Sequence, residues 1–354
     1  MEDIVLIRPY ERGDEGGIRR LFRTCFAREL SKEKWEWQYE KTSEGKPVIV
    51  IGESDQGIIG HVALQPRRFL VKGKPSLGGL YADMMVHNEF RGKGLNRRLS
   101  ARLLSKLYEY ARDTGYDFTY GAPNANSRGL ARRKKTGGQR VTEIPRLGKL
   151  LNPAYAIKRI DSKLLRNACR RIVSLGTRST WPLMVQPFAN NDLRFDDLWE
   201  RVYPEYEILG VRDTSYMRWR FGEYPEQFED RNSNTTFGWV EGDVLHGYIT
   251  VSFIHEGPYR IGYIVDILAQ RENKTILNDL MSAAILFCRQ NRIDLIRAWM
   301  TDTWPAYSVF LSRGFLARTS DLCWRVRPLS DSKTPVALMD PGSWYFTLGD
   351  SDSP

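Results

Sequence analysis

Apolar and polar positions follow two rhythms along this chain, and the same order of rhythms comes round twice. Val5 to Pro9 reads as a short strand. From Asp14 to Phe26 the residues Ile18, Leu21, Phe22 and Cys25 recur at helical spacing and predict an amphipathic helix. Ser31 is placed to open a second helix, which carries Trp35, Trp37 and Tyr39. Pro47–Gly52 and Ile58–Leu64, separated by Asp55-Gln56-Gly57, predict a hairpin, and Gly79–His87 a further strand. Leu95, Leu99, Leu103, Leu107 and Ala111, flanked by Leu104 and Tyr108, make a continuous apolar stripe and predict the strongest helix. Phe118–Ala122 predicts a strand, and Ser127–Lys135 a short basic helix ended by Gly137-Gly138.

The pattern restarts at Asp192. Tyr216-Met217-Arg218-Trp219-Arg220-Phe221 echoes Lys34-Trp35-Glu36-Trp37-Gln38-Tyr39, and Gly242 to Ile249 echoes Gln56 to Ala63. A strand at Tyr263–Leu268, a helix at Thr275–Gln290, a strand at Ile293–Trp299 and a helix at Trp304–Ser312 follow in the earlier order. Two copies of one α/β (α+β) domain are expected. Between them, Ile157, Leu164, Ala168, Ile172 and Leu175 stripe a helix otherwise lined by Lys158, Arg159, Arg166, Arg170 and Arg171. We read it as a connector packed between domains rather than a membrane-surface helix. The expected organisation is a first domain over residues 1–150, a basic linker over 151–190, a second domain over 191–330, and a tail over 331–354 that packs back.

Composition narrows the class without choosing the chemistry. An apolar fraction of 42% and a charged fraction of 27% suit a globular chain of 354 residues and exclude a disordered or fibrous one. Lys and Arg number 53 against 43 Asp and Glu, a net charge of +10 that attracts anions. Met1-Glu2-Asp3 lacks the basic start of a signal peptide, and no apolar run is long enough to span a membrane. Cys25, Cys169, Cys288 and Cys323 form no Cys-x-x-Cys pair, and His61, His87, His246 and His255 show no metal-ligand spacing. The expectation is a reduced, cytoplasmic protein without a metal.

The stretch that carries chemistry is Met84-Met85-Val86-His87-Asn88-Glu89-Phe90-Arg91-Gly92-Lys93-Gly94-Leu95-Asn96. A strand runs through a glycine-bearing turn into the long helix. Glycines let the backbone approach a ligand closely, and the first amides of a helix have no internal partner. Such a turn can cradle a pyrophosphate, with Arg91, Lys93, Arg97 and Arg98 adding positive charge. The glycine spacing matches neither the phosphate loop of nucleotide hydrolases nor the dinucleotide fingerprint.

Val86-x-Asn88-x-x-Arg91-Gly92-Lys93-Gly94-Leu95-Asn96 followed by a Leu-rich helix resembles the acyl-CoA signature of the GNAT superfamily of N-acetyltransferases. The flanking order is similar too: Ile7-Arg8-Pro9, Trp35-x-Trp37, Gly57-Ile58-Ile59-Gly60, then Pro123-Asn124-x-Asn126-Ser127 before Lys134-Lys135-x-Gly137. The resemblance implies tandem GNAT folds, each a mixed, mostly antiparallel twisted sheet flanked by helices. It implies acetyl-CoA or another acyl-CoA as co-substrate. Backbone groups of Met84, Met85 and Val86 would hold the pantetheine arm, and the amides of Arg91, Gly92, Lys93, Gly94, Leu95, Asn96 and Arg97 the pyrophosphate. Asn126 would bond the cofactor arm. The implied mechanism is direct attack of an amine on the thioester, with an amide hydrogen polarising the oxyanion and a base removing the ammonium proton.

Three positions depart from the superfamily pattern. Asn96 stands where Gly or Ala is usual, Asn88 where Pro is common, and Arg133 where a Tyr often serves as thiolate acid. A guanidinium is a poor proton donor, so the acid lies elsewhere or the thiolate leaves unassisted. Candidates for the base are Asp83, His87 and Tyr81 on the central strand, of which Asp83 lies among apolar neighbours that would raise its pKa. Asp266 occupies a similar position in the second copy, which hints at a structural role for both. That copy has no glycine in Ala269-Gln270-Arg271-Glu272-Asn273-Lys274 and places Glu272 where phosphates would sit. It is expected to wall a cleft at the domain junction where a small-molecule amine lies. The rival readings are a Fem-type transferase that takes an aminoacyl group from tRNA, and a non-catalytic acyl-CoA-binding sensor or scaffold. The intact phosphate turn favours a CoA donor over nucleic acid.

Overall fold

The structure, a computed structural model, describes residues 5–91, 98–123, 128–131, 137–155, 180–224, 234–319, 322–329 and 335–352. It falls into two units: Met1–Thr142 with Cys323–Asp340, and Glu143–Leu322 with Pro341–Pro354. Strands are numbered β1 to β16 along the chain.

In the first unit, β1 (Leu6–Pro9), β2 (Val48–Ser54), β3 (Gly57–Val71), β4 (Lys74–Val86), β5 (Phe118–Gly121) and β6 (Gln139–Glu143) are joined by β15 (Cys323–Pro328). The sheet order is β1-β2-β3-β4-β5-β15-β6. Strands β1 to β4 pair antiparallel, and β4 pairs parallel with β5. A parallel pair needs a crossover, which helix α3 (Leu99–Asp113) supplies. Its apolar stripe buries Leu99, Leu103, Leu104, Leu107 and Ala111 against Val50, Val62 and Leu64. Each leucine so buried stabilises the fold by about 1.5–3 kcal/mol. Gly60 admits this contact, since a Cβ there would lie 2.9 Å from Leu103 Cδ1. The stripe residue Leu95 lies outside the described residues, as does the basic stretch 156–179.

The other face of the sheet is covered by α1 (Glu15–Phe26), which buries Ile18, Leu21 and Phe22, and by α2 (Lys32–Trp35). Ser31 Oγ caps α2 by accepting from Lys34 N at 3.1 Å. The helix widens at once into a π turn over Glu36–Glu40, which buries Trp37, Gln38 and Tyr39. Strands β3 and β4 run farther than the sequence pattern indicates, to a two-residue turn at Lys72 (φ 50°) and Gly73 (φ 73°). Pro66, Arg67 and Arg68 break the apolar run, yet they stay in the strand. The buried Glu44 carboxylate takes Arg67 at 2.8 Å and Arg68 at 2.9 Å, which removes the cost of burying the Arg67 charge alone.

The second unit repeats the plan. Its order is β8 (Val185–Phe188), β10 (Thr235–Glu241), β11 (Val244–Glu256), β12 (Tyr259–Ala269), β13 (Leu295–Trp299), β7 (Arg146–Leu150), β14 (Leu316–Arg318). Here β12 and β13 form the parallel pair, crossed by helix Lys274–Gln290. Asp213 caps the short helix Thr214–Met217 through Tyr216 N at 2.9 Å, and a π turn again follows, over Arg218–Gly222. The sixth position of each sheet is filled from the opposite half of the chain: β15 in the first unit, β7 in the second.

Near the end of the chain, β16 (Trp344–Tyr345) pairs with β9 (Ile208–Gly210), and Thr347 caps a single turn over Leu348–Asp350. This segment locks onto a buried cation. Arg212, fully buried, reaches Asp266 at 3.4 Å, Asp350 at 2.5 Å and the Gly210 carbonyl at 2.6 Å. Burial opposes its charge, and the two carboxylates outweigh burial and keep it protonated. Among the described residues no helix is long and apolar enough to cross a membrane.

Candidate functional site

The described candidate residues lie at or near one feature of the first unit, an interruption of β4. His61 lies opposite Met85 and Ala63 opposite Ala82, so Asp83 and Met84 both face Val62 and form a bulge. Asp83 has φ 46°, a left-handed conformation that costs a non-glycine residue about 1 kcal/mol or more. Bulges bend a strand and twist it more strongly. Consistent with that, β4 pairs with β5 only at Gly78, Gly79 and Leu80, opposite Phe118, Thr119 and Tyr120. Beyond these pairs the two strands fork.

Tyr81 sits at the apex of the fork. Its hydroxyl bonds Thr119 Oγ1 at 2.7 Å and Tyr108 OH at 2.8 Å, and its ring lies 3.5 Å from where a Cβ on Gly121 would be. Burial pushes its pKa well above the ordinary tyrosine value, so it holds its proton. This hydroxyl belongs to a structural chain that ends in Tyr108, under the Arg327 guanidinium at 4.4 Å.

Asp83 points to the α1–α2 side. Its Oδ2 accepts from Tyr39 OH at 2.6 Å and Gln38 Nε2 at 3.0 Å, both delivered by the π turn. Gln65 on β3 steadies that turn by donating to the Gln38 carbonyl at 3.2 Å. The widened turn thus sets two adjacent side chains on one carboxylate oxygen. Oδ1 has no partner among the described residues, and the residue is part-exposed. His61 is fully buried, with Nδ1 2.7 Å from the Asp83 carbonyl oxygen.

The end of β4 carries the remaining described candidates. Met84 packs against the α3 core, and Met85 and Val86 are buried. The Val86 carbonyl accepts from Arg91 Nε at 2.7 Å, which folds the chain back after a single turn over Asn88–Phe90. His87 donates its backbone N–H to Ile59, and its ring packs on Phe90 with Nδ1 buried and unpartnered among the described residues. It lies in the strand-end turn, four residues beyond the bulge. Cys25 Sγ contacts Val86 O and Arg91, and burial raises its thiol above the ordinary value while Arg91 opposes. Gly92, Lys93, Gly94, Leu95, Asn96, Arg97, Asn126 and Arg133 lie outside the described residues.

The second unit has a bulge one position earlier, with Val265 as the extra residue between Ile264 and Asp266, and side chains occupy its fork. The carbonyl of Ile267, first after Asp266, accepts from Tyr345 OH, and that of Ala269 accepts from Tyr206 OH at 3.0 Å. Trp304 stacks on Tyr206 at 4.9 Å. Asp266 is fully buried and takes bonds from Tyr248 at 2.7 Å, Thr347 at 2.8 Å and Arg212. Two amides in and just before the first turn of its crossover helix are also bonded. Glu205 accepts from Arg271 N at 2.5 Å, and Asn273 from Ile276 N at 3.2 Å.

By the shared register, Met84 in the first unit corresponds to Ile267 in the second, with His61 opposite Met85 as Tyr248 is opposite Leu268. The Met84 carbonyl has no side-chain donor among the described residues. The first fork therefore offers the Met84 carbonyl without a side-chain donor among the described residues and a part-exposed carboxylate, while the Val86 carbonyl is taken by Arg91. Those features fit an extended amide-bearing arm such as pantetheine. Among the described residues no three His, Cys, Asp or Glu side chains gather to hold a metal ion.

Residues that carry this geometry without standing out as site residues in the sequence are His61 and Gln38, while Tyr39 was marked only as one of the helix aromatics. The one available signal was a lone polar His61 inside the apolar run Ile58–Leu64.

Residues 6–134 match the family described as Acetyltransferase (GNAT) domain. No curated protein matches the chain in sequence. Among solved structures it is similar to Saccharomyces cerevisiae N-myristoyltransferase with bound myristoyl-CoA, at 11% identity, covering 93% of this chain and 84% of that one, TM-score 0.63. It is also similar to GCN5-related N-acetyltransferases from Anabaena variabilis (12% identity, 92% and 73% covered, TM-score 0.61) and Kribbella flavida (14%, 95% and 73%, TM-score 0.58). At these identities the likeness shows the fold: two mostly antiparallel sheets flanked by helices. Residues 6–134 thus match a GNAT acetyltransferase domain, and the chain shares the fold of these N-acyltransferase structures.

Proposed function

We propose that the protein transfers an acyl group, acetyl in the first instance, from its CoA thioester to an amine, at the fork between β4 and β5. The observation that carries this reading is the contrast between the forks. In the second unit the Ile267 carbonyl is bonded by Tyr345, whereas the equivalent Met84 carbonyl in the first has no side-chain donor among the described residues. An amide of the pantetheine arm would supply the Met84 carbonyl with a donor.

The chemistry follows from the two faces of β4. The amine nitrogen approaches from the α1–α2 side, where Asp83 Oδ1 takes its proton. Its lone pair forms the C–N bond at the thioester carbonyl, the oxyanion is held by a bulge amide, and the C–S bond breaks to release the thiolate. Tyr39 and Gln38 hold the carboxylate in place through its other oxygen. No enzyme nucleophile takes part, in keeping with a Cys25 thiol whose pKa burial raises.

The test combines thiol release from acetyl-CoA across a panel of amino sugars, polyamines, amino acids and aminoglycosides with calorimetric CoA binding. Wild type is expected to bind CoA and to consume thioester with at least one amine class. Lys93→Glu combined with Gly94→Glu is expected to abolish CoA binding while leaving the thermal unfolding midpoint unchanged, because two carboxylates would face the diphosphate. Unchanged affinity in that variant would show the phosphate turn to be misassigned. CoA binding without turnover on any amine would replace the enzyme reading with that of a sensor.

A further inference from the structure

We infer that His61 is a positioning residue for acyl transfer: its Nδ1–H grips the Asp83 carbonyl, fixes the left-handed bulge and strengthens the Met84 N–H as a donor to the thioester oxygen. The assignment rests on the acyl-transfer reading above. A carbonyl oxygen can only accept, so the 2.7 Å contact requires the proton on Nδ1. Burial holds the imidazole below its ordinary pKa against the opposing Asp83 charge, so the ring is neutral at pH 7. Its Nε2 is then a lone-pair nitrogen, buried and without a partner among the described residues. An apolar side chain would remove the cost of that buried nitrogen, so the contribution of the ring lies in Nδ1.

The peptide joining Asp83 and Met84 links this contact to the reaction. In a trans peptide the C=O and N–H point in opposite directions, so a carbonyl turned to His61 directs the Met84 N–H away from it. A hydrogen bond accepted by the carbonyl polarises the peptide and makes that N–H a stronger donor. The same bond holds Asp83 at φ 46°, which a non-glycine residue keeps only under constraint. The second unit gives the contrast. Tyr248 occupies the position of His61, reaches the Asp266 side chain instead of its carbonyl, and Asp266 is not left-handed.

Three substitutions separate the role of Nδ1 from packing. Asparagine places its amide N–H near Nδ1, glutamine near Nε2, and leucine supplies neither. With acetyl-CoA and the amine acylated in the panel above, His61→Leu is expected to lower kcat about ten- to a hundredfold with the KM for acetyl-CoA little changed. His61→Asn should recover most of that loss, and His61→Gln should not. Wild-type kcat in His61→Leu, or rescue by glutamine in preference to asparagine, overturns the assignment. Selective ¹⁵N-methionine labelling gives a readout that needs no turnover. The Met84 amide resonance should move in His61→Leu and stay near its wild-type position in His61→Asn; an unmoved resonance in His61→Leu overturns the assignment. If wild type acylates no amine, the functional reading fails, and the Met84 resonance still decides whether His61 polarises that peptide.

Discussion

Asp83→Asn is expected to lower kcat for acyl transfer about a hundred- to ten-thousandfold while CoA affinity stays near wild type. The side-chain carbonyl of asparagine can take the Oδ2 position and still accept from Tyr39 OH and Gln38 Nε2, so the bulge keeps its anchors. What disappears is the second oxygen, the group placed to receive the ammonium proton. Steady-state kinetics on acetyl-CoA, paired with calorimetry on CoA, reads both halves of this expectation. A kcat within a factor of about three of wild type would remove Asp83 from the reaction and leave it as an anchor for the π turn. A parallel fall in CoA affinity would mean that the substitution had disturbed the fork itself.

The largest effect on stability is expected in the other unit. Arg212→Leu should destabilise it by about 3–5 kcal/mol, because Asp266 and Asp350 would stay buried without the cation between them. Urea unfolding followed by tryptophan fluorescence measures this as a lower midpoint. Combining Arg212→Met with Asp266→Asn and Asp350→Asn should restore most of the loss, since well-packed neutral groups of similar shape avoid the desolvation cost. A triple variant as unstable as Arg212→Leu would show that the triad acts through shape rather than charge.

Much of this architecture was legible in the sequence because it rests on local periodicity. The stripe from Leu99 to Ala111 is helical in any context that buries it, and Ser31 and the Asp55-Gln56-Gly57 turn are local signals. The repeat was visible for the same reason, since Trp35-x-Trp37 and its echo at Trp219 mark the same widened turn. Other features depend on partners far away in the chain. Arg67 stays in β3 because Glu44 meets it, and no window around Pro66 contains that fact. The pairing of β15 with β5, and of β7 with β13, is decided between segments well over a hundred residues apart.

The site was legible in part. Asp83 drew notice as a carboxylate in an apolar strand, yet its left-handed backbone could not be foreseen, because Asp adopts positive φ only occasionally and the bulge is set by pairing with β3. His61 offered only a polar letter in an apolar run. Its meaning came from register, which sets it beside the residues that face Val62.

The exchange of β7 and β15 bears on how this protein can be taken apart. A gene truncated after the first repeat would encode a sheet in which β5 and β6 have lost the strand between them, with Tyr120 stripped of its Trp324 neighbour. Such a fragment would present two raw edges to solvent and invite pairing with other chains. A self-contained first half would have to be built by rewiring, with residues 323–328 grafted behind residue 142, so the modular unit for engineering is a permuted chain and not a contiguous stretch of the coding sequence.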